Sequence, residues 1–191
     1  MLFVSANRPV VTFDLDGVLC RPPFGINPGR NQGKSRETAG TKGLLWRTER
    51  VRYLGRRPMS GARDGFFQFA RLYDCQVLSA RSEEARPLTE RWFARWFGVV
   101  PAISLRPSWE ETSAAFKVRR VRELGSVAHF EDDPHTALWL AELIPAVFLV
   151  DWARNRWVEG RPNIHRVRQL AEAGPTLARL AGGVVPGAAP H

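Results

Sequence analysis

The sequence predicts an α/β fold, specifically a Rossmann-like three-layer sandwich built on a parallel sheet of five strands. Short apolar segments rich in β-branched residues alternate with segments whose apolar residues recur every three or four positions. This alternation is typical of strands joined by right-handed crossover helices, which cover both faces of a parallel sheet. Clusters of polar residues also follow three of the predicted strands directly, and the carboxyl ends of parallel strands lie at one edge of the sheet.

The first predicted strand covers residues 10–13, whose sequence VVTF is β-branched or aromatic throughout. Asp14 and Asp16 follow it, and then Gly17, where a chain leaving a strand often needs permissive dihedral angles. Two carboxylates at the end of a buried strand are costly unless they bind a cation or take part in chemistry. Such oxygen ligands suit Mg²⁺. The alternative interpretation is a strand that ends in a solvated acidic turn.

The next segment, residues 21–60, carries most of the positive charge of the chain. The net charge is +9, and this segment holds ten Lys or Arg against two Glu, a net of +8. Its Gly- and Pro-rich composition is loop-like, and its charge favours anionic partners. We interpret it as a basic cap or lid, with a disordered basic loop as the alternative. The core domain is then predicted at residues 1–20 and 61–182, with a disordered tail at 183–191.

Two helices and a strand are predicted after this insertion. A helix begins near Gly61, because apolar residues at 66, 69, 70 and 73 share one helical face. A strand follows at residues 75–79. The second helix runs from about Arg86, with Pro87 in its first turn and Gly98 just past its end. Its apolar stripe of residues 88, 92 and 96 favours packing over a base-stacking platform.

The remaining elements continue the alternation to the end of the chain. Gly125 is expected to end the third helix. Gly174 and the proline after it are expected to interrupt the last one. The predicted elements are strands at residues 102–105, 126–131 and 146–150 and helices at residues 113–124, 135–143 and 164–180.

The overall composition bounds the class of protein. The 191 residues suit one domain, and the hydrophobic fraction of 44% with seven Trp supports a real core. No apolar segment approaches the roughly 20 residues of a membrane span, and the N-terminus lacks the features of a signal peptide. The two cysteines, Cys20 and Cys75, fit a reduced protein better than a disulfide scaffold. We therefore expect a cytoplasmic protein.

Four short motifs stand at predicted strand ends or in a predicted helix: FDLDGVL with Asp14 and Asp16, VLSAR with Ser79, SAAFKVRRVREL with Lys117, and HFEDDP with its pair of acids. In this order they resemble the first, second, third and fourth motifs of the haloacid dehalogenase-like phosphohydrolases. The resemblance covers residues 9–156 apart from the insertion, and it implies the sheet order 3-2-1-4-5.

The resemblance also implies catalytic roles. Asp14 would be the nucleophile that forms an aspartyl-phosphate, and Asp16 would be the general acid and base. Ser79 and Lys117 would bind the oxygens of the transferred phosphoryl group. Ala80 and Arg81 would join them in the substrate site, although for Arg81 a surface ion pair is an equal alternative.

The metal site implied by the resemblance is a Mg²⁺ site. Its ligands would be Asp14, the backbone carbonyl of Asp16, and the acids of the fourth motif. Asp132 ranks above Asp133 as the direct ligand, because DDP resembles the Asp-Ser-Pro pattern of the family. Asp133 would reach the ion through water or orient Lys117. No role is assigned to Glu131, which occupies a position that is often Gly or apolar in the family.

The resulting expectation is a magnesium-dependent phosphomonoester hydrolase that acts on a nucleotide or a nucleic-acid end. Asp16 favours phosphoester hydrolysis, because dehalogenases of the superfamily lack an acid at this position and ion-pumping ATPases carry Thr there. A weaker resemblance in FLVDWARNRW, with Asn155 and Arg156, points to deoxyribonucleotidase-like members. Two alternatives stay open. One is a phosphatase of a sugar or metabolite phosphate, and the other is a nucleic-acid-binding protein with a secondary or vestigial site.

Overall fold

The computed structural model describes residues 8–22, 55–107 and 110–183. Within these residues, six parallel strands form one sheet in the order β3-β2-β1-β4-β5-β6. The strands are β1 (Val10–Phe13), β2 (Asp74–Ser82), β3 (Ala102–Arg106), β4 (Ala128–Glu131), β5 (Ala146–Val150) and β6 (Ile164–Val167). The helices are α1 (Ala62–Ala70), α2 (Arg86–Phe97), α3 (Ser113–Glu123), α4 (Pro134–Leu140) and α5 (Gly174–Gly183). No helix among these is long and apolar enough to cross a membrane.

The helices cover both faces of the sheet, as the sequence predicted. Along β5, Phe148 joins a buried apolar cluster with side chains from α1, α2 and α5. Its neighbours Val147 and Leu149 join a second cluster with side chains from α3 and α4. Successive residues of a strand point to opposite faces, so these two clusters are the two cores of a three-layer sandwich. The predicted fold class is confirmed.

Within the described residues the sheet has six strands, one more than the five that the sequence predicted. Residues 164–167 were expected to begin a helix, but they pair in parallel with β5, with Ile164 opposite Val147. Ile and Val favour a half-buried strand, and the free edge of β5 supplies the pairing. The last helix begins only at Gly174, because Pro175 suits the first turn of a helix better than its interior.

Two predicted regions lie largely outside the described residues. Of the basic segment, residues 23–54 are not described, and neither is the tail at 184–191. The predicted domain boundaries therefore stay predictions.

Candidate active site

The sheet register brings the predicted motifs to one edge. Phe13 lies opposite Val77 on β2 and Phe130 on β4, so the residues that follow these strands share the carboxyl edge. Asp14 is 2% exposed, and its backbone N–H donates to the carbonyl of Phe130 at 2.9 Å. Ser79 is also buried, two residues beyond Val77. Phe13, which precedes Asp14, stacks on the ring of Phe130 at 4.6 Å, so rigid core side chains support this edge.

Lys117 joins the strand ends from α3. Thr112 begins this helix by accepting a hydrogen bond from the N–H of Ala115 at 3.2 Å. The Lys117 side chain is fully buried, with Nζ 2.9 Å from Oδ2 of Asp14 and 2.6 Å from Oε2 of Glu131. A buried ammonium group needs such partners, because burial without them is costly. The structure therefore brings Asp14 and Lys117 together, as the motifs implied.

Three carboxylates could hold a metal ion. Asp14, Glu131 and Asp132 are all buried, and each offers an oxygen within 4.8 Å of the others. Sets of carboxylate oxygens suit hard divalent cations. Glu131 is the member that sequence reasoning left without a role.

Asp133 serves mainly as the cap of α4. Its Oδ2 accepts hydrogen bonds from the N–H of Thr136 at 3.0 Å and from its hydroxyl at 2.7 Å. An Asp at this position satisfies donors that the helix itself leaves unpaired. The contact to Lys117 that was expected of Asp133 is made by Glu131.

Arg154 reaches the same acidic group from the turn after β5. Its Nη2 donates to Oδ2 of Asp132, and its Nη1 lies 3.7 Å from Oδ1 of Asp133. Buried Asn155 holds this turn in place by donating to the backbone carbonyls of Asp132 at 3.1 Å and Val150 at 2.7 Å. The chain itself thus places a cation beside Asp132.

Arg156, the next arginine along the chain, is placed differently from Arg154. Arg156, which the nucleotidase resemblance singled out, is exposed and lies 3.3 Å from Asp151. Asn155 is a structural residue in the described site. The deoxyribonucleotidase-like assignment stays a prediction.

Two arginines bind the carboxylate of Asp16. Arg81 donates from Nε and Nη2 to its two oxygens, both at 2.8 Å, in a bidentate arrangement. Arg56 donates from Nη1 to Oδ1 at 2.5 Å. Arg81 is 2% exposed and also donates to the hydroxyl of Thr89 at 3.2 Å. Arg81 therefore pairs with Asp16 from a buried position rather than at the surface, as the alternative from the sequence had it, and its contact with substrate stays a prediction.

The turn that follows Asp16 is held from the opposite side of the site. Gly17 has a backbone φ of 89°, a conformation that residues with a side chain rarely adopt. Its carbonyl accepts a hydrogen bond from Nε1 of Trp152 at 3.0 Å. Since Trp152 and Arg154 belong to the same turn, one loop contacts both the first and the fourth motif.

A buried histidine lies behind these acids. His129 is fully buried, with Nδ1 2.8 Å from the Thr12 hydroxyl and Nε2 3.4 Å from Oε2 of Glu131. Burial is the main cause that lowers the pKa of His129 below 6.5; the charge of Lys117 acts in the same direction, and Glu131 opposes it. The native imidazole is therefore neutral at pH 7.

We expect the free energy of unfolding to fall as the pH drops below about 6.5, because the unfolded histidine binds a proton that buried His129 excludes. One such group contributes a slope of at most about 1.4 kcal/mol per pH unit. Urea unfolding between pH 5 and 8 measures it, and His129→Gln should reduce the slope. His135→Gln is the matched control, since it removes a histidine that is only half-buried. An unchanged slope in His129→Gln would contradict the expectation.

Comparison with known proteins gives matches at the level of structure. No protein-family model matches the sequence, and no curated protein sequence matches it. The protein CbbY from Rhodobacter sphaeroides, solved in complex with phosphate, is similar with a TM-score of 0.57 and 16% identity. The alignment covers 88% of this chain and 97% of that one.

Two further solved structures share the fold. A haloacid dehalogenase-like hydrolase from Streptococcus pneumoniae has a TM-score of 0.58 and 12% identity, over 91% of this chain and all of that one. A chain of the Pnkp1/Rnl/Hen1 RNA repair complex has a TM-score of 0.55 and 16% identity. There the alignment covers 78% of this chain but only 44% of that one. The fold that the four motifs implied is confirmed, and it is the fold of the haloacid dehalogenase-like hydrolases.

Proposed function

We propose that this chain is a magnesium-dependent phosphomonoester hydrolase that acts through an aspartyl-phosphate on Asp14. One observation carries the proposal: Asp14 lies buried at the carboxyl edge of the sheet, bound to Lys117 and within reach of two further carboxylates. This combination supplies a nucleophile, a cation for phosphoryl oxygens and oxygen ligands for a metal at one place. The shared fold of known hydrolases supports it.

The residues present fit a magnesium ion. Asp14 and Asp132 would hold it, together with the backbone carbonyl of Asp16, and the donors are all oxygen. When bound, the ion would neutralise charge on the phosphoryl oxygens.

The reaction would proceed in two displacements. A carboxylate oxygen of Asp14 attacks phosphorus, the bond to the leaving oxygen breaks, and Asp16 gives that oxygen a proton. Asp16 then takes a proton from water, which attacks the aspartyl-phosphate, releases inorganic phosphate and restores Asp14. Ser79 and Lys117 would bind the phosphoryl oxygens in both steps. Both oxygens of Asp16 accept guanidinium hydrogen bonds, so proton transfer requires that at least one be released.

A panel of phosphomonoesters, assayed with Mg²⁺ and with EDTA, tests the proposal. We expect hydrolysis of an aryl phosphate that disappears with EDTA and returns when Mg²⁺ is added. Hydrolysis that is equally fast with EDTA would contradict the proposed chemistry. No hydrolysis of any ester would favour the alternative of a nucleic-acid-binding protein.

The two acids of the fourth motif should differ in their effect on metal affinity. We expect Asp132→Asn to weaken activation by Mg²⁺ more than Asp133→Asn does. Asp132 belongs to the cluster of converging carboxylates, whereas Asp133 caps α4, a task that Asn also performs. A Mg²⁺ titration of activity for both variants measures the difference, with thermal unfolding as the control for folding. The reverse order would exchange the two roles.

The proposed substrate is a nucleotide or a nucleic-acid end rather than a sugar phosphate. The basic segment leaves the strand that carries Asp14, and at its far end Arg56 contacts Asp16. Trp92 fixes this end by donating from Nε1 to the carbonyl of Arg56 at 2.8 Å. Arginines can bind several phosphates and stack on bases. A neighbour in fold belongs to an RNA repair complex, which also supports this class of substrate.

We expect kcat/KM to fall more steeply with salt for an oligonucleotide with a terminal phosphate than for a nucleoside monophosphate or a sugar phosphate. Contacts to several phosphates release counterions, whereas a single buried phosphoryl contact responds weakly to salt. Kinetics between about 50 and 200 mM salt measure the slopes. The steep slope should be reduced when Ser replaces five arginines of the basic segment: Arg47, Arg50, Arg52, Arg56 and Arg57.

The control for this experiment removes charge elsewhere. Arg122 and Arg161 are exposed and lie near the amino edge of the sheet, away from the site, at the end of α3 and before β6. Changing both to Ser should leave the difference between substrates unchanged. Equal salt slopes for all three substrates would leave the basic segment without a role in substrate choice.

A further inference from the structure

Glu131 is a buried acid at the centre of the site, and the proposed reaction gives it no step. It is the last residue of β4, and its side chain is completely shielded from solvent. Oε1 accepts hydrogen bonds from the backbone N–H groups of Asp132 at 2.9 Å and Asp133 at 3.0 Å. Oε2 accepts one from Nζ of Lys117 at 2.6 Å. A single carboxylate therefore binds both the third motif and the backbone of the fourth.

The contact with Lys117 determines where its ammonium group lies. A lysine side chain is a point charge on a flexible stem, so one partner alone does not fix its position. Here Nζ lies between Oε2 of Glu131 and Oδ2 of Asp14, at 2.6 and 2.9 Å. Removing the Glu131 acceptor would leave the ammonium group with one fewer anchor beside the nucleophile.

Glu131 is itself fixed from the strand side. Nε2 of His129 lies 3.4 Å from its Oε2, and Nδ1 of His129 lies 2.8 Å from the hydroxyl of Thr12. Thr12 also lies 3.0 Å from the hydroxyl of Ser126. Because Thr12 belongs to β1, the strand that precedes Asp14, this chain of polar contacts connects β1, β4 and Lys117.

We propose that Glu131 is a positioning residue, which holds the ammonium group of Lys117 against Asp14 and shapes the backbone that presents Asp132. The inference rests on the proposed hydrolase function. Glu131 acts through Lys117 and the two amides, without touching substrate. The family pattern gave Glu131 no role, because this position is often Gly or apolar there.

The isosteric change Glu131→Gln tests the role. The amide oxygen can still accept from the two backbone N–H groups, but its NH₂ group cannot accept from the ammonium group of Lys117. We expect kcat for an aryl phosphate to fall about 10- to 100-fold, as for other groups that orient active-site residues, with a smaller change in KM. Glu123→Gln makes the same chemical change at an exposed residue of α3 and should leave kcat unchanged.

A double-mutant cycle with Lys117→Met separates positioning from general stability. If Glu131 acts through Lys117, Glu131→Gln should cost little further kcat in the Lys117→Met background. Equal losses in both backgrounds, or wild-type kcat in Glu131→Gln, would overturn the inference while leaving the hydrolase function intact.

Lysine NMR supplies a measurement that needs no turnover. The chain has three lysines, Lys34, Lys42 and Lys117, so selective ¹⁵N labelling gives a spectrum of three side chains. A buried, hydrogen-bonded ammonium group exchanges its protons slowly, and we expect the Lys117 signal to be visible in the wild type and in Glu123→Gln. It should shift or vanish in Glu131→Gln. An unchanged Lys117 signal in Glu131→Gln would overturn the inference, whatever the phosphatase assay shows. A wild-type protein without Mg²⁺-dependent hydrolysis would overturn the proposed function alone.

Discussion

Replacing Asp14 with Asn is expected to reduce turnover of an aryl phosphate by about 10⁴-fold or more, as removal of a covalent nucleophile does in other enzymes. An amide oxygen is a far weaker nucleophile than a carboxylate, so the aspartyl-phosphate cannot form at a useful rate. The side chain keeps its shape, and Lys117 keeps its contact with Glu131. Thermal unfolding should therefore show a folded protein. Steady-state kinetics with p-nitrophenyl phosphate measure the loss.

The matched control for this change is Asp64→Asn. Asp64 is an exposed acid in the first turn of α1, so the same substitution there leaves the site untouched. It should hydrolyse the ester at the wild-type rate. A wild-type rate in Asp14→Asn instead would show that the nucleophile is another group.

Asp16→Asn is expected to lower kcat about 10²- to 10⁴-fold for an alkyl phosphate, the usual contribution of a general acid and base. For p-nitrophenyl phosphate the leaving group needs no proton, so the first step should survive. The second step still needs a base to activate water. We therefore expect one rapid equivalent of nitrophenolate, followed by slow turnover, as phosphorylated Asp14 accumulates. Stopped-flow absorbance measures the burst, and intact-protein mass spectrometry detects the added phosphoryl group.

The same substitution should also affect stability. Asp16 is the bidentate partner of buried Arg81, and an amide accepts hydrogen bonds without neutralising the guanidinium charge. A loss of about 1–3 kcal/mol in the free energy of unfolding follows from weakening a partly buried, charged hydrogen bond. Arg81→Lys separates the two effects, because it disturbs the ion pair and leaves the acid in place. A burst that is absent in Asp16→Asn, with equal losses for both esters, would contradict the acid and base role.

The sequence predicted the parts of the site that depend on strand ends. Asp14 and Asp132 follow apolar strands directly, and Ser79 lies near the carboxyl end of β2, so the parallel sheet places all three towards one edge. Lys117 could be placed because it occurs early in a strongly patterned helix. These inferences use local periodicity, which a single sequence carries.

The partners of these residues could not be predicted in the same way. The pairs Arg56–Asp16, Arg81–Asp16 and Arg154–Asp132 join residues 40, 65 and 22 positions apart. No periodicity marks which of many arginines reaches an acid, because that depends on loop conformation. The edge strand β6 was not predicted, because its sequence IHRV has two polar residues between its apolar ends and so lacks the apolar run that marks β1 and β5.

The contact between Arg154 and Asp132 has a consequence for how the protein matures. Zinc fingers and similar small domains fold only when their metal arrives, because nothing else neutralises the ligands. In this chain Lys117 and Arg154 pair with Asp14, Glu131 and Asp132, so two cations stand against three carboxylates before any ion binds. We therefore expect folding to depend little on the supply of divalent ions, and thermal unfolding with and without EDTA measures this.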